Sequence, residues 1–245
     1  MNLDHKIAIV TGAGSGIGRA TAVALADVGA TVIVTDVDEA GGHETVAGIG
    51  EAARFALLDV TDRAACRALA DDLLDEHGRV DILVNAAGWD LIQPFVDNTD
   101  EYMDAIVGLN LKGPINVCKA MIPPLTASGS GRIVNVASDA GRVGSSGETV
   151  YAGAKGGVVA FTKSLAREMT RHQIRVNCVC PGPTDTPLFA QQPEKMRIAL
   201  ERAIPMRRLA RPSEIADAIV FFASDRASFV TGQVLSVSGG LTMVD

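Results

Sequence analysis

Lys6-Ile7-Ala8-Ile9-Val10, followed at once by Thr11-Gly12-Ala13-Gly14-Ser15-Gly16-Ile17-Gly18, decides the fold. The first five residues form a short apolar run of strand character. A helical pattern starts at about Ile17 and continues through Ala20, Ala24 and Val28. A glycine turn between a strand and a helix lets backbone N–H groups and the helix N-terminus present fixed positive potential to a pyrophosphate, with no side chains in the way. The spacing is G-x-x-x-G-x-G at Gly12, Gly16 and Gly18, with Gly14 additional, one residue wider at the first step than G-x-G-x-x-G. The reading is an α/β chain, one domain over residues 1–245 built on a parallel sheet, with Gly12, Ser15, Gly16, Ile17 and Gly18 against a dinucleotide.

Outward from that loop, Thr31 to Thr35 is the next strand and Asp36 closes it. An acidic side chain there accepts hydrogen bonds from ribose hydroxyls and repels a 2′-phosphate, which predicts NAD rather than NADP. Val37 and Ser15 offer no arginine to a 2′-phosphate, and Arg19 is the only nearby candidate; capping of the following helix is the competing role for Asp36, and Asp38 serves it as well. The alternation continues through a strand at 54–58 ending in Asp59-Val60, a helix at about 62–76, and a strand at 80–84 ending in Asn85-Ala86-Ala87-Gly88. In open α/β sheets ligands bind at the carboxyl ends of the strands, which places Asp59 and Val60 beside the adenine and Asn85, Ala86 and Gly88 along the cofactor's path.

A long helical segment from about Asp100 to Met121 carries Asn110, and Pro123-Pro124 is expected to end it. Arg132 to Ala137 reads as the strand that delivers Ser138. Tyr151 and Lys155 are four apart on a helix running to about Arg171, so they project from one face. An ammonium beside a phenol favours the phenolate and lowers a pKa that is ordinarily near ~10. The next strand, Ile174 to Cys180, ends in Pro181-Gly182-Pro183-Thr184-Asp185-Thr186. Residues 188–211 interrupt the rhythm where a lid would sit, and six basic residues there face two acidic ones. A basic lid suits an anionic handle such as coenzyme A, and a solvated helix is the competing reading. A helix from Pro212 to Ala223 and a strand from Gln233 to Val237 close the sheet.

Composition bounds the rest. The chain has 245 residues, is 47% hydrophobic and 21% charged, and carries a net charge of −7, which argues against nucleic-acid affinity and for small-molecule chemistry. Cys66, Cys118, Cys178 and Cys180 show neither disulfide nor metal-ligand spacing, so no metal is expected and the thiols read as reduced core residues. A strand pattern beginning by Lys6 leaves no room for a signal peptide, and no apolar stretch approaches membrane-spanning length. The expectation is a cytoplasmic enzyme with no membrane or nucleic-acid partner.

Taken together, T-G-A-G-S-G-I-G, Asp59-Val60, N-A-A-G, Asn110, Ser138, Y-A-G-A-K and P-G-P-T-D-T resemble, in order and spacing, the short-chain dehydrogenase/reductase family along the whole chain. The resemblance implies a single-domain, Rossmann-type doubly wound parallel sheet of about seven strands with a small helical substrate lid, Ser138 polarising the substrate oxygen and Tyr151 as acid/base. It implies Lys155 lowering the tyrosine pKa and binding the nicotinamide ribose, Asn110 holding a water in the proton relay, and Thr184 bonding the carboxamide. Pro181, Gly182 and Thr186 join the cofactor contacts, and the assembly it implies is a homotetramer packed through the helices bearing Asn110 and Tyr151. Ala86 departs from the usual N-N-A-G but leaves the backbone role intact.

N-A-A-G-W-D, S-D-A-G-R-V-G-S-S-G-E, V-C-P-G-P-T-D-T and V-L-S-V-S-G-G-L-T-M are similar, more narrowly, to the 2-hydroxycyclohexanecarboxyl-CoA dehydrogenases, which oxidise a ring β-hydroxyacyl-CoA to its β-keto thioester with NAD. Trp89, Arg142, Val143 and Leu188 are the corresponding candidates for substrate contact beside Ser138 and Tyr151, with a half-buried surface aromatic as the other reading of Trp89. Rival readings are a 3-oxoacyl thioester reductase, a dehydrogenase of a free cyclic or aryl alcohol and, from another class, an NAD(H)-sensing scaffold.

Overall fold

Ile7–Thr11 (β1) alternates its side chains strictly: Ile9 enters one hydrophobic core while Ala8 and Val10 enter another on the opposite side. A strand covered on both faces is a run of apolar residues rather than an apolar/polar alternation. The same holds for Thr31–Asp36 (β2), Ile82–Asn85 (β4) and Arg132–Val136 (β5). Ala53–Leu57 (β3), Arg175–Pro181 (β6) and Val234–Val237 (β7) complete the set. The computed structural model describes residues 1–244, and its seven strands form one sheet in the order β3-β2-β1-β4-β5-β6-β7, every pair parallel. The order reverses between β1 and β4, and the crevice outside their carboxyl ends is where such sheets bind ligands.

Helices α1 (Gly16–Asp27) and α2 (Glu39–Ile49) follow β1 and β2, and α3 (Arg63–His77) follows β3. The start of α3 is set by Asp62, whose carboxylate accepts from the N–H groups of Ala64 at 2.7 Å and Ala65 at 3.1 Å. Its end is set by Gly78 at φ 71°. Leu69 and Leu73 carry α3 into the first core, where Val117, Met121, Leu125, Leu165 and Met169 join them; Leu25, Ile215, Ile219 and Phe222 fill the second.

The segment expected as one helix from Asp100 to Met121 is three pieces: α4 (Asp100–Val107), a π-helical turn at Gly108–Lys112, and α5 (Gly113–Ala127). Gly113 N–H reaches back five residues to the Gly108 carbonyl. Pro123 and Pro124 lie inside α5 instead of ending it. Each lacks an N–H, which costs a bond to the turn before, but only three residues follow them. That last turn is held by burial of Pro124 and Leu125 and by Val80 N–H donating to the Pro124 carbonyl at 3.1 Å.

Beyond β5 come α6 (Ala140–Val143) and α7 (Thr149–Met169). After β6, the segment expected as a lid folds as α8 (Pro187–Ala190) and α9 (Glu194–Ala203), and α10 (Pro212–Ala223) returns the chain to β7. All four cysteines are buried and unbridged; the Cys178 and Cys180 sulfurs, two apart on β6, lie 4.0 Å from each other. No helix among the described residues is long and apolar enough to cross a membrane.

Candidate active site

Gly12 stands at φ +65°, and a Cβ on it would meet Ala87 Cα at 2.6 Å; a Cβ on Gly18 would meet the Gly12 carbonyl oxygen at 2.1 Å. Only hydrogen fits at either position, so the turn after β1 closes tightly against both the 86–88 loop and its own helix. The Thr11 hydroxyl reinforces that closure by accepting from the N–H groups of Ala86 and Ala87, both at 3.1 Å. The N-cap of α1 is Ser15, whose side chain makes no capping bond, and no acidic residue occupies the first turn. The positive end of α1 therefore faces an open groove with no acidic side chain from its own first turn competing for it.

That groove is a cavity of about 310 Å³ bordered by Gly12, Ser15, Gly16, Ile17, Gly18, Asp36, Asp59, Val60, Ala86 and Gly88. Asp36 accepts from Gly14 N–H at 2.7 Å and from Asp38 N–H at 3.0 Å, so its carboxylate is held at the groove's edge. Arg19, the one candidate for a 2′-phosphate, is committed elsewhere: it donates to the Gly14 and Gly41 carbonyls and pairs with Glu44 at 2.8 Å. The cradle that a Cβ would fill and the free helix end fit the pyrophosphate of a nicotinamide dinucleotide, and the Asp36 carboxylate stands at the groove's edge.

A second cavity, of about 420 Å³, opens at the ends of β5 and β6 and shares Ile17, Ala86, Gly88, Thr186 and Leu188 with the first. Ser138, Tyr151 and Lys155 all border it. The Ser138 hydroxyl accepts from Ala140 N–H at 3.1 Å and shares the cavity wall with the Tyr151 phenol, whose ionisation it favours. Lys155 is buried, donates to the Val136 carbonyl at 3.0 Å, and places Nζ 5.6 Å from the centre of the Tyr151 ring. Burial pushes the phenol above its ordinary range, nearby Glu148 and Asp90 push the same way, and Ser138 opposes them. The expected lowering of the tyrosine by its lysine is thus outweighed in the protein alone. Burial instead depresses Lys155, to about 8.

Asn110 sits at the middle of the π-helical turn, fully buried. Its amide donates to the Trp89 carbonyl at 2.8 Å and the Ile106 carbonyl at 3.1 Å, and its Oδ1 accepts from Trp89 N–H at 3.3 Å. A Cβ on Gly88 would lie 2.9 Å from that Oδ1 and 3.3 Å from Lys155 Nζ, so Gly88 separates the two. Pro181 and Gly182 line the second cavity with Thr184, whose hydroxyl donates to the Gly182 carbonyl at 2.9 Å. The Thr186 hydroxyl caps α8 by accepting from Phe189 N–H at 3.2 Å.

Three expected contacts fall elsewhere. Asn85 turns away from the groove into the sheet, donating to Asn135 Oδ1 at 2.8 Å, while Asn135 donates to the Thr162 hydroxyl at 2.9 Å. On a strand covered on both faces, its position dictates a core direction. Arg142 does not border the second cavity: it donates to the Ser236 hydroxyl and the Val244 carbonyl, both at 2.8 Å, tying α6 to β7 and the C-terminal tail. Trp89 borders the cofactor groove rather than the second cavity, with its ring edge-on to Tyr102 at 6.2 Å. Val143 and Leu188 do line the second cavity, beside Phe189 and Leu200 of the lid. None of the lid's basic side chains does; Arg208 and Arg211 pair with Glu214. Asp90 and Glu148, which border this cavity, were not singled out by the sequence reading; their place next to N-A-A-G-W and three residues before Tyr151 was the available signal.

A family model described as enoyl-(acyl carrier protein) reductase matches residues 12–242. A 3-oxoacyl-(acyl-carrier-protein) reductase of Thermotoga maritima is 39% identical over 246 residues, covering 99% of this chain and 100% of the relative. A (2S)-((R)-hydroxy(phenyl)methyl)succinyl-CoA dehydrogenase subunit of Thauera aromatica is 37% identical, covering 99% of each. The crystal structure of a ribose-5-phosphate isomerase from Brucella melitensis superposes with a TM-score of 0.93 at 36% identity, covering 98% of this chain and 93% of that one.

Proposed function

This chain belongs to the short-chain dehydrogenase/reductase family of oxidoreductases, and from that premise we propose that it oxidises a secondary alcohol to a ketone with NAD. The proposed alcohol is a cyclic 2-hydroxyacyl-CoA of the 2-hydroxycyclohexanecarboxyl-CoA kind, and the product is its β-keto thioester. The observation that carries the reading is the meeting of Ser138 and Tyr151, with Lys155 behind them, where the substrate cavity joins the cofactor groove.

Bound NAD supplies the hydride acceptor. Gly12, Ser15 to Gly18, Asp36, Asp59, Val60, Ala86 and Gly88 would hold it, with Pro181, Gly182, Thr184 and Thr186 toward the nicotinamide. The Ser138 hydroxyl donates to the substrate oxygen. The Tyr151 phenolate oxygen takes the alcohol's proton in oxidation and the phenol returns it in reduction. The Lys155 ammonium favours the phenolate and orients the ribose, and Asn110 anchors the 88–90 loop in the relay. Val143, Leu188, Phe189 and Leu200 keep water from the reacting bond. Outside the cavity, Lys195, Arg202 and Arg207 are exposed on the lid, where they suit the phosphates of an acyl carrier.

A second reading, reduction of a 3-oxoacyl thioester, draws on the name of the Thermotoga maritima relative. Asp36 and the engaged Arg19 favour NAD, while a biosynthetic reductase usually takes NADPH, so cofactor preference separates the two. A homotetramer and a cytoplasmic setting belong to the main reading. The experiment is NADH formation with 2-hydroxycyclohexanecarboxyl-CoA, run beside the free hydroxy acid and cyclohexanol. Strong preference for the thioester is the expected result; equal activity on the free alcohol overturns the thioester assignment.

A further inference from the structure

Two loops meet over the substrate cavity, and each brings a carboxyl group to its wall. Gln93 N–H donates to the Gly147 carbonyl at 3.0 Å, and Gly147, at φ +84°, lies so close that a Cβ would touch Ile92 Cγ2 at 2.7 Å. The first loop presents Asp90, only 6% exposed, and the second presents Glu148, three residues before Tyr151. Asp90 Oδ1 accepts from the Tyr102 hydroxyl at 2.9 Å, whereas Asp90 Oδ2 is buried with no donor. Both carboxyl groups border the one cavity, and the Asp90 charge adds to what raises Glu148. Burial raises both above the ordinary carboxylate range; the Tyr102 bond opposes it at Asp90, and the Ser145 bond at Glu148.

Apolar side chains, among them Ile92, Val143, Leu188, Phe189 and Leu200, cover much of the remaining wall; a third carboxyl group there, Asp139, accepts from the Ser236 hydroxyl, and the one cationic side chain is Lys155, already bonded to the Val136 carbonyl. No arginine lines it among the described residues. We infer that Asp90 and Glu148 are a specificity pair that shuts out a free carboxylate beside the reacting carbinol and admits its neutral ester or thioester. A carboxylate entering here would meet the pair's negative charge and find no cationic fork to receive it. A thioester brings no charge to this point, and the phosphates of its carrier remain outside at the lid. The inference rests on the dehydrogenase reading and names the acyl class for the same site.

The test measures binding rather than turnover. Calorimetric titration of the enzyme–NADH complex with methyl cyclohexanecarboxylate and with cyclohexanecarboxylate is compared for the wild type, Asp90→Asn, Glu148→Gln and the double variant. The wild type should bind the ester about 30-fold more tightly than the acid, a ratio of the size that one buried like-charge contact produces. Each single variant should narrow that ratio, chiefly by tightening the acid, and so should the double variant. Equal affinities in the wild type, or an unchanged ratio in every folded variant, would overturn the inference. Failure of every secondary alcohol to form NADH would instead sink the dehydrogenase reading, while the affinity ratio still decides this one.

Discussion

Lys155 Nζ lies 5.6 Å from the centre of the Tyr151 ring and donates to the Val136 carbonyl, so one buried cation joins α7 to the end of β5 directly beneath the phenol. With burial opposing charge on both groups, the protein alone holds a protonated tyrosine beside a weakened ammonium. Additional positive charge in the groove would favour the phenolate.

Tyr151→Phe should lower turnover by about 10²–10⁴-fold, the usual contribution of a positioned acid/base, while NADH binding changes little. Steady-state kinetics with NADH titration by fluorescence checks both halves. Undiminished turnover would remove Tyr151 from the mechanism.

Lys155→Met should change stability in a pH-dependent way. The folded-state pKa of about 8 lies below the ordinary lysine value. Between the two, the unfolded chain binds more protons, so the wild type gains stability as pH rises through that window. Below about pH 8 the burial cost is present in full. The stability difference between Lys155→Met and wild type should therefore favour the variant more at pH 7 than at pH 10.5, on a scale of about 1.4 kcal/mol per pKa unit. Urea denaturation of the cofactor-free proteins at the two pH values measures it; a pH-independent difference would show that Lys155 is not depressed.

Asp36→Ala should raise kcat/KM for NADP relative to NAD by about tenfold or more, a change of roughly 1.4 kcal/mol. It also strips Gly14 N–H of its acceptor, so some loss of affinity for both cofactors is expected. An unchanged ratio would show that the carboxylate does not discriminate at the ribose.

Arg142→Ala should cost stability, about 1–3 kcal/mol from the loss of charge-assisted hydrogen bonds, with KM for the substrate within about threefold, since less than ~0.7 kcal/mol of binding is at stake. Thermal unfolding and steady-state kinetics read the two effects. A large rise in KM without a change in melting temperature would return Arg142 to the substrate site.

Arg142 also shows where reading the chain alone ran out. Its partners Ser236 and Val244 lie 94 and 102 residues away, and no local pattern connects them. The loop from Gly12 to Gly18 was legible because its constraint is local: strand, tight turn and helix follow one another, and their glycines leave a spacing. Asp36 was legible for the same reason, at the end of a strand. The commitment of Arg19 was not, because it depends on Glu44 from the next helix. Asn85 reads as a groove residue by its motif, but the sheet's pleat sends its side chain to Asn135. The Asp90–Glu148 pair exists only because two loops far apart in the chain dock at Gln93 and Gly147. Pro123 and Pro124 mislead for an energetic reason: packing at the end of α5 outweighs the missing N–H groups.

The π-helical turn at Gly108–Lys112 acts as a phase shifter. One surplus residue advances the helix by about 100°, since an α-helix has 3.6 residues per turn. α4 and α5 therefore present differently rotated apolar faces to the sheet, while Asn110 occupies the angular gap between them. Removing that residue would restore uninterrupted helical pairing and swing either Asn110 or one whole helix out of phase. Such turns gather at functional sites. A sequence optimised for regular helix would lose the clamp on Trp89, so this imperfection in the ladder preserves the alignment of the 88–90 loop.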